Sequence, residues 1–150
     1  MNKIIIYTDG GTRGNGKECN VGGFGAVLQY GNHTKEIYQG FRNTTNNQME
    51  LKAAIEALKQ IKKFNIPVYV YSDSAYLVNC MNQKWYKKWM NNGWITSSKK
   101  TVENRELWIE LIELVQKFTF ITFIKVKGHN GNPLNERADQ LANLAMDSVS

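Results

Sequence analysis

This chain of 150 residues holds only two cysteines and two histidines, and no run of apolar residues long enough to cross a membrane. Each shortage excludes something. Cys19 and Cys80 form no CxxC pair and cannot make a disulfide framework, so both are expected to be free thiols. The two histidines and two cysteines lie far apart without ligand spacing, which excludes a zinc set. With no stretch approaching about 18 apolar residues, no transmembrane helix is expected. Met1-Asn2-Lys3 runs directly into strand-like residues, without an h-region or small-residue cleavage site. The expected compartment is therefore the cytoplasm. Acidic residues are missing from one region altogether: none occurs between Asp73 and Glu103, where Lys84, Lys87, Lys88, Lys99 and Lys100 supply most of the net charge of +6. A local basic patch is a stronger sign of a polyanionic partner than a global excess.

What is present reads as a single α/β domain, an ordinary size for one core. The β-branched run Lys3 to Thr8 predicts a buried central strand, ending at Asp9 and followed by a Gly/Asn-rich loop over 10–23. Phe24–Tyr30 and Lys35–Phe41 predict strands joined across Gly31-Asn32-His33, which makes an antiparallel meander. The spacing of Met49, Leu51, Ala54, Ile55, Leu58 and Ile61 predicts a helix, with Asn47 able to cap it. Pro67 opens the next strand, Val68–Ser72, and a strand–helix–strand crossover makes that strand parallel to the first. Asp9 and Asp73 then fall on one edge of the sheet. Further helices are expected at 75–81, 83–92 and 103–117, a strand at 119–126, and a last helix from Pro133 capped by Asn132.

Asp9, Glu50, Asp73 and Asp139 are the candidate chemistry. Oxygen-only donors suit magnesium, and two such ions about 4 Å apart can clamp an in-line phosphoryl displacement. Each acid also has an ordinary use. Asp9 could serve a turn, Glu50 could complete a capping box with Asn47, Asp73 could cap the next helix, and Asp139 could pair with a basic neighbour. His129 lies in a Gly/Asn loop just before the helix that carries Asp139, where an imidazole can carry a proton. It could equally be a surface histidine, as His33 in its predicted turn is expected to be.

Gln83 to Trp94 interleaves lysines with Trp85, Trp89 and Trp94. Trp85 and Trp89 are one turn apart and are expected to share a face. They could anchor the segment, grip a nucleic acid, or support exposed lysines that do. Lysine–phosphate contacts carry no sequence code, so such binding is salt-sensitive and sequence-nonspecific. The polar run Asn43 to Gln48 offers amides and hydroxyls suited to sugars, phosphates and the wide minor groove of an A-like helix.

Taken in order, Tyr7-Thr8-Asp9-Gly10, Gly22-Gly23-Phe24-Gly25-Ala26, Thr44-Thr45-Asn46-Asn47-Gln48-Met49-Glu50-Leu51, Ser72-Asp73-Ser74, Trp85 to Trp94, Val126-Lys127-Gly128-His129 and Asn135-Glu136-Arg137-Ala138-Asp139 resemble type 1 ribonuclease H, the bacterial-like single-domain form. The match spans residues 3–146. The resemblance implies a five-stranded mixed sheet flanked by helices, and Mg²⁺-dependent hydrolysis of the RNA strand of RNA–DNA hybrids to 5′-phosphate and 3′-hydroxyl ends. It implies that Asp9 bridges two Mg²⁺ ions, that Asp139 holds the ion activating water, and that Glu50 and Asp73 hold the ion at the leaving group. Mn²⁺ is a possible substitute. His129 matches a histidine that assists proton transfer or product release. Asn15, Thr45, Asn46 and Asn47 match substrate-contacting positions, and the segment bearing Lys84, Trp85, Lys87, Lys88 and Trp89 matches a basic protrusion that meets the DNA strand.

The chain departs from that pattern in three places. Its Gly14–Val21 loop is longer and lacks the usual proline, Asn43 stands where many relatives have arginine, and Ala75 stands where many have glutamine. These positions bear on substrate grip and rate. A monomer without a separate hybrid-binding domain is the expected form. The rival readings are a noncatalytic hybrid-binding module, another nuclease of the same fold, and a ribonuclease H domain cut from a reverse transcriptase.

Overall fold

The hydrophobic residues of the first strand alternate between two faces, and the whole molecule is arranged on those faces. In the computed structural model, which describes residues 2–14, 19–96, 99–126 and 131–149, β1 (Ile4–Arg13) is the third strand of a five-stranded sheet. It pairs antiparallel with β2 (Val21–Tyr30), which pairs antiparallel with β3 (His33–Arg42). On its other side β1 pairs parallel with β4 (Val68–Ser72), and β4 pairs parallel with β5 (Ile121–Lys125). The order β3-β2-β1-β4-β5 is the expected mixed sheet. The β2–β3 turn is tighter than expected: Gly31 (φ +60°) and Asn32 suffice, and His33 is already the first, exposed residue of β3.

Helices cover the two faces unequally. Ile4 and Ile6 of β1, Val68 and Val70 of β4 and Phe123 of β5 pack under α1 (Asn46–Lys59), α2 (Ala75–Gln83) and α4 (Arg105–Val115). Leu51, Ile55, Leu58, Leu77, Trp108 and Leu111 fill that main core, each 1% exposed or less. The opposite face carries α5 (Pro133–Val149), which lies over β1, β2 and β3. There Tyr7 and Val27 meet Ala138 and Leu141. A short α3 (Trp85–Asn91) follows α2 after Lys84, whose left-handed backbone (φ 58°) separates the two. None of the described helices is long and apolar enough to cross a membrane.

The structure corrects three expectations. First, Asp9 does not end a strand. Gly10, Gly11, Gly22 and Gly23 lie in paired strands rather than in a 10–23 loop, since β1 and β2 stay in register as far as Arg13↔Val21. Glycine within a strand marks close approach of another backbone, and such approach occurs here. A Cβ on Gly10 would lie 2.7 Å from the carbonyl carbon of Met49, and one on Gly25 would lie 2.5 Å from Leu141 Cβ and from Ala138 O. Of the glycines that read as a loop, Gly10 and Gly22 seat α1 and Gly23 seats α5.

Second, Thr45 rather than Asn47 caps α1, accepting a hydrogen bond from Gln48 N at 3.1 Å. Ser74 caps α2 in the same way through Leu77 N. Third, Trp85 and Trp89 do not act alike. No residue of α3 is buried; Trp85 is 41% exposed, whereas Trp89 packs against Trp94 and Trp108 with ring centroids 6.0 and 5.9 Å apart. The Asn132 cap of α5 is as expected, with Oδ1 accepting from Leu134 N and Asn135 N. Cys19 and Cys80 are free, the first exposed and the second buried.

Candidate active site

The site is built where β4 stops short. The last β1–β4 pair is Tyr7↔Tyr71. Two residues further along each strand the same register brings Asp9 beside Asp73, which follows the last residue of β4. Asp9 is paired with Gly25 of β2 on one side but has no strand on its β4 side, where side chains can reach it from both faces of the sheet. Glu50 comes from the second turn of α1, through the space that glycine at position 10 leaves open. Asp139 comes from the second turn of α5 on the opposite face.

Carboxylate oxygens of Asp9, Glu50 and Asp73 lie within 4.8 Å of one another. Asp139 is not one of these three, but it lies close enough to Asp9 to raise its carboxyl. The ordinary uses foreseen for two of these acids have gone to neighbours: Thr45 and Ser74 do the capping, which leaves Glu50 and Asp73 for each other. Burial, first of all, pushes the Asp9 carboxyl up to about 8. The side-chain contact with Asp139 and the charges of Asp73 and Asp139 push the same way, while the Gly10 N–H opposes them. Glu50 is also held well above the ordinary carboxylate range, by burial and then by Asp9 and Asp73. Without a cation, then, Asp9 retains a proton at neutral pH, because crowded and buried carboxylates resist ionising together.

The residues fit a hard divalent cation. Glu50 is 7% exposed, and its Oε1 is buried without a hydrogen-bond partner. A buried acceptor is normally satisfied, so this oxygen is left over for a ligand. The donors are all carboxylate oxygens, the set that magnesium and manganese accept.

The other sequence-predicted residues that the structure describes fall in two groups. Thr45, Asn46 and Asn47 line one groove together with Asn20, Thr44 and Glu103. Asn20, which sequence reasoning missed, clamps this run through two hydrogen bonds to the Thr44 backbone. Thr12 Oγ1 donates to Asn46 Oδ1, tying the far end of β1 to the same cluster. The left-handed Asn43 (φ 56°) was a signal for a fixed turn there. Lys84, Lys87, Lys88, Lys99 and Lys100 are all exposed, so the basic segment does present its charges to solvent. Asn15 and His129 lie outside the described residues.

The fold and this geometry have known counterparts. A family model described as RNase H matches residues 1–147. The chain is 54% identical to a Ribonuclease H of Clostridium botulinum over 150 residues, which is all of this chain and 99% of that protein. Among solved structures it is similar to LC9-RNase H1, a type 1 RNase H with the type 2 active-site motif (TM-score 0.85, 30% identity, 99% of this chain and 74% of that chain). It is similar also to LC11-RNase H1 in complex with RNA/DNA hybrid (TM-score 0.75, 30% identity, 98% of this chain and 99% of that chain). With the family model covering nearly its whole length, the chain belongs to the ribonuclease H family.

Proposed function

We propose that this protein hydrolyses the RNA strand of RNA–DNA hybrids, using two Mg²⁺ ions held by Asp9, Glu50, Asp73 and Asp139. The observation that carries the reading is the convergence of Asp9, Glu50 and Asp73 within 4.8 Å at the β1–β4 gap. The hybrid-bound relative supports the choice of substrate. Bound there, Mg²⁺ would supply Lewis-acid charge at the phosphate and a more acidic water.

The protein's own groups do the rest. Asp9 lies near Glu50 and Asp73 and near Asp139, so it is the residue that would serve both ions when they are bound. The cluster must release its retained proton before it binds cations, which couples occupancy to pH. In the reaction a water oxygen bonds to phosphorus and the P–O3′ bond breaks. The water's proton leaves and the 3′-oxygen takes one up, giving 5′-phosphate and 3′-hydroxyl ends. His129 is assigned to that proton traffic or to product release.

Asn15, Thr45, Asn46 and Asn47 read the RNA strand through its 2′-hydroxyls. Lys84, Lys87 and Lys88 meet phosphates of the DNA strand, and Trp85 covers the sugar–phosphate surface while Trp89 holds their helix in place. The enzyme acts as a cytoplasmic monomer, and Mn²⁺ substitutes for Mg²⁺.

The test uses end-labelled RNA–DNA hybrid, duplex RNA and duplex DNA, each with Mg²⁺ and with excess EDTA. The expected result is loss of the hybrid's RNA strand alone, stopped by EDTA. Binding of hybrid without cleavage in Mg²⁺ or Mn²⁺ would overturn the enzymatic reading.

A further inference from the structure

One step below the acids, on the same strands, lies a pair of tyrosines. Tyr7 and Tyr71 face each other in the β1–β4 register and stack with centroids 4.6 Å apart and planes 8° from parallel. Asp9 and Asp73 are each two residues further on, about 6.6 Å along a strand. The Tyr7 hydroxyl accepts a hydrogen bond from Asn132 Nδ2 at 3.0 Å. Asn132 in turn caps α5, and Asp139 stands seven residues on, two turns away. Three of the four acids are thus a fixed step from one aromatic–amide cluster. Tyr7 itself is 7% exposed.

We propose that the Tyr7 hydroxyl and Asn132 form a positioning latch that sets how firmly Asp9 and Asp139 together hold a divalent cation. This rests on the metal reading given above. β1 is tied by polar contacts to α5 and its cap at two ends, Tyr7 with Asn132 at the start of the helix and Arg13 with Asn143 and Asp147 near its end. The Tyr7–Asn132 contact is the one nearer Asp9 and Asp139, and it joins neutral groups, so it holds the start of α5 against β1. The amide orientation is fixed by its partners: Oδ1 takes two helix N–H groups, and only Nδ2 is left for the phenol. Phenylalanine at position 7 would preserve the stack and the packing on Ala138 and Leu141, but not the tie to α5. Tyr7 and Asn132 are positioning residues, acting through Asp139.

The test measures Mn²⁺ binding to the hybrid-free protein by the electron paramagnetic resonance signal of free Mn²⁺, beside thermal midpoints. Tyr7→Phe removes only the hydroxyl. Asn132→Ser retains a capping oxygen but cannot reach Tyr7. Each is expected to weaken Mn²⁺ binding roughly three- to tenfold, toward the low end of what loss of an outer contact does at a metal site. The double variant should be no weaker than the single ones, and hybrid binding in EDTA should be unchanged. Unchanged Mn²⁺ affinity in Tyr7→Phe, or losses that multiply in the double variant, would overturn the latch. A lower thermal midpoint with wild-type Mn²⁺ affinity would reduce it to packing and overturn it equally. Failure of the wild-type protein to bind Mn²⁺ would instead overturn the metal reading itself.

Discussion

Asp9, Glu50 and Asp73 converge on a framework of buried residues, whereas Lys84, Lys87 and Lys88 stand at or on α3, a helix that buries none of its residues. The acids are fixed from three directions: by strand register, by the α1 backbone resting on Gly10, and by α5 resting on Gly25. The lysines are attached to the body chiefly through Trp89 on Trp94 and Trp108. The contrast follows from the two proposed tasks. A cation of small radius accepts donors only at defined distances, so its ligands need a rigid base. A lysine meeting a phosphate acts as a point charge on a flexible stem, and attraction through solvent tolerates displacement.

Breaking the rigid region should have the largest effect. Asp9→Asn or Asp73→Asn is expected to leave the fold intact and lower kcat about 10³-fold or more, the scale of losing a principal stabiliser of developing charge. Single-turnover cleavage together with circular dichroism checks it; an unfolded variant or near-wild-type turnover would contradict the assigned role. The same acids should make the metal-free protein sensitive to pH. Folding raises the Asp9 carboxyl from 3.8 to about 8. The folded state therefore favours the protonated form, and that contribution is full below about 4 and lost as pH rises through about 8. Glu50, also raised, acts in the same sense. Thermal midpoints in EDTA should fall across that window. Asp9→Asn should flatten the fall and raise the midpoint at its alkaline end, and Mg²⁺ should oppose it. A midpoint that rises with pH in EDTA would refute the repulsion.

Breaking the tolerant region should act on binding. Replacing Lys84, Lys87 and Lys88 together by Gln is expected to raise KM for hybrid on the order of tenfold with kcat retained, and to reduce the salt slope of binding by about 2 to 3. A loss in kcat of similar size would mean that the segment takes part in chemistry. The two tryptophans sharpen the comparison further. Trp89→Ala should destabilise the protein by about 2 kcal/mol, below the fully buried range because the ring is only partly covered. Trp85→Ala should change stability by about 0.5 kcal/mol or less while weakening hybrid binding. Chemical denaturation curves of both variants decide this, and equal destabilisation would remove the distinction between anchor and contact.

The site acids were legible because their types and positions have few good alternatives in a sheet of this topology. The β-branched run Lys3 to Thr8, the helical spacing after Met49 and the Pro67 break made a strand–helix–strand crossover, which set β1 and β4 parallel and so brought Asp9 near Asp73. The glycines were misread for a specific reason: Gly10, Gly11, Gly22 and Gly23 carry a turn-like composition, but at Gly10, Gly22 and Gly23 the lack of a side chain serves helix-on-strand contact. The cap of α1 was misplaced by two residues because Thr45, Asn46 and Asn47 are all competent caps in isolation, and only the direction of the incoming chain selects one. Trp85 and Trp89 shared a face by spacing, yet the partner rings of Trp94 and Trp108 come from elsewhere in the chain.

Local rules thus sufficed for most element types and for the parallel pairing of β1 with β4, because strand composition, helical spacing and the crossover act over short stretches, while the five-stranded mixed sheet and the roles of the acids came with the family resemblance. The tertiary structure alone decided that β4 ends one step before Asp9, that α1 and α5 approach through glycine on opposite faces, and that Glu50 retains a buried oxygen without a partner. The crowding that raises the Asp9 and Glu50 carboxyls is likewise a property of distance. Acids 23 or more residues apart in the chain act on one another only once the fold has removed the water between them.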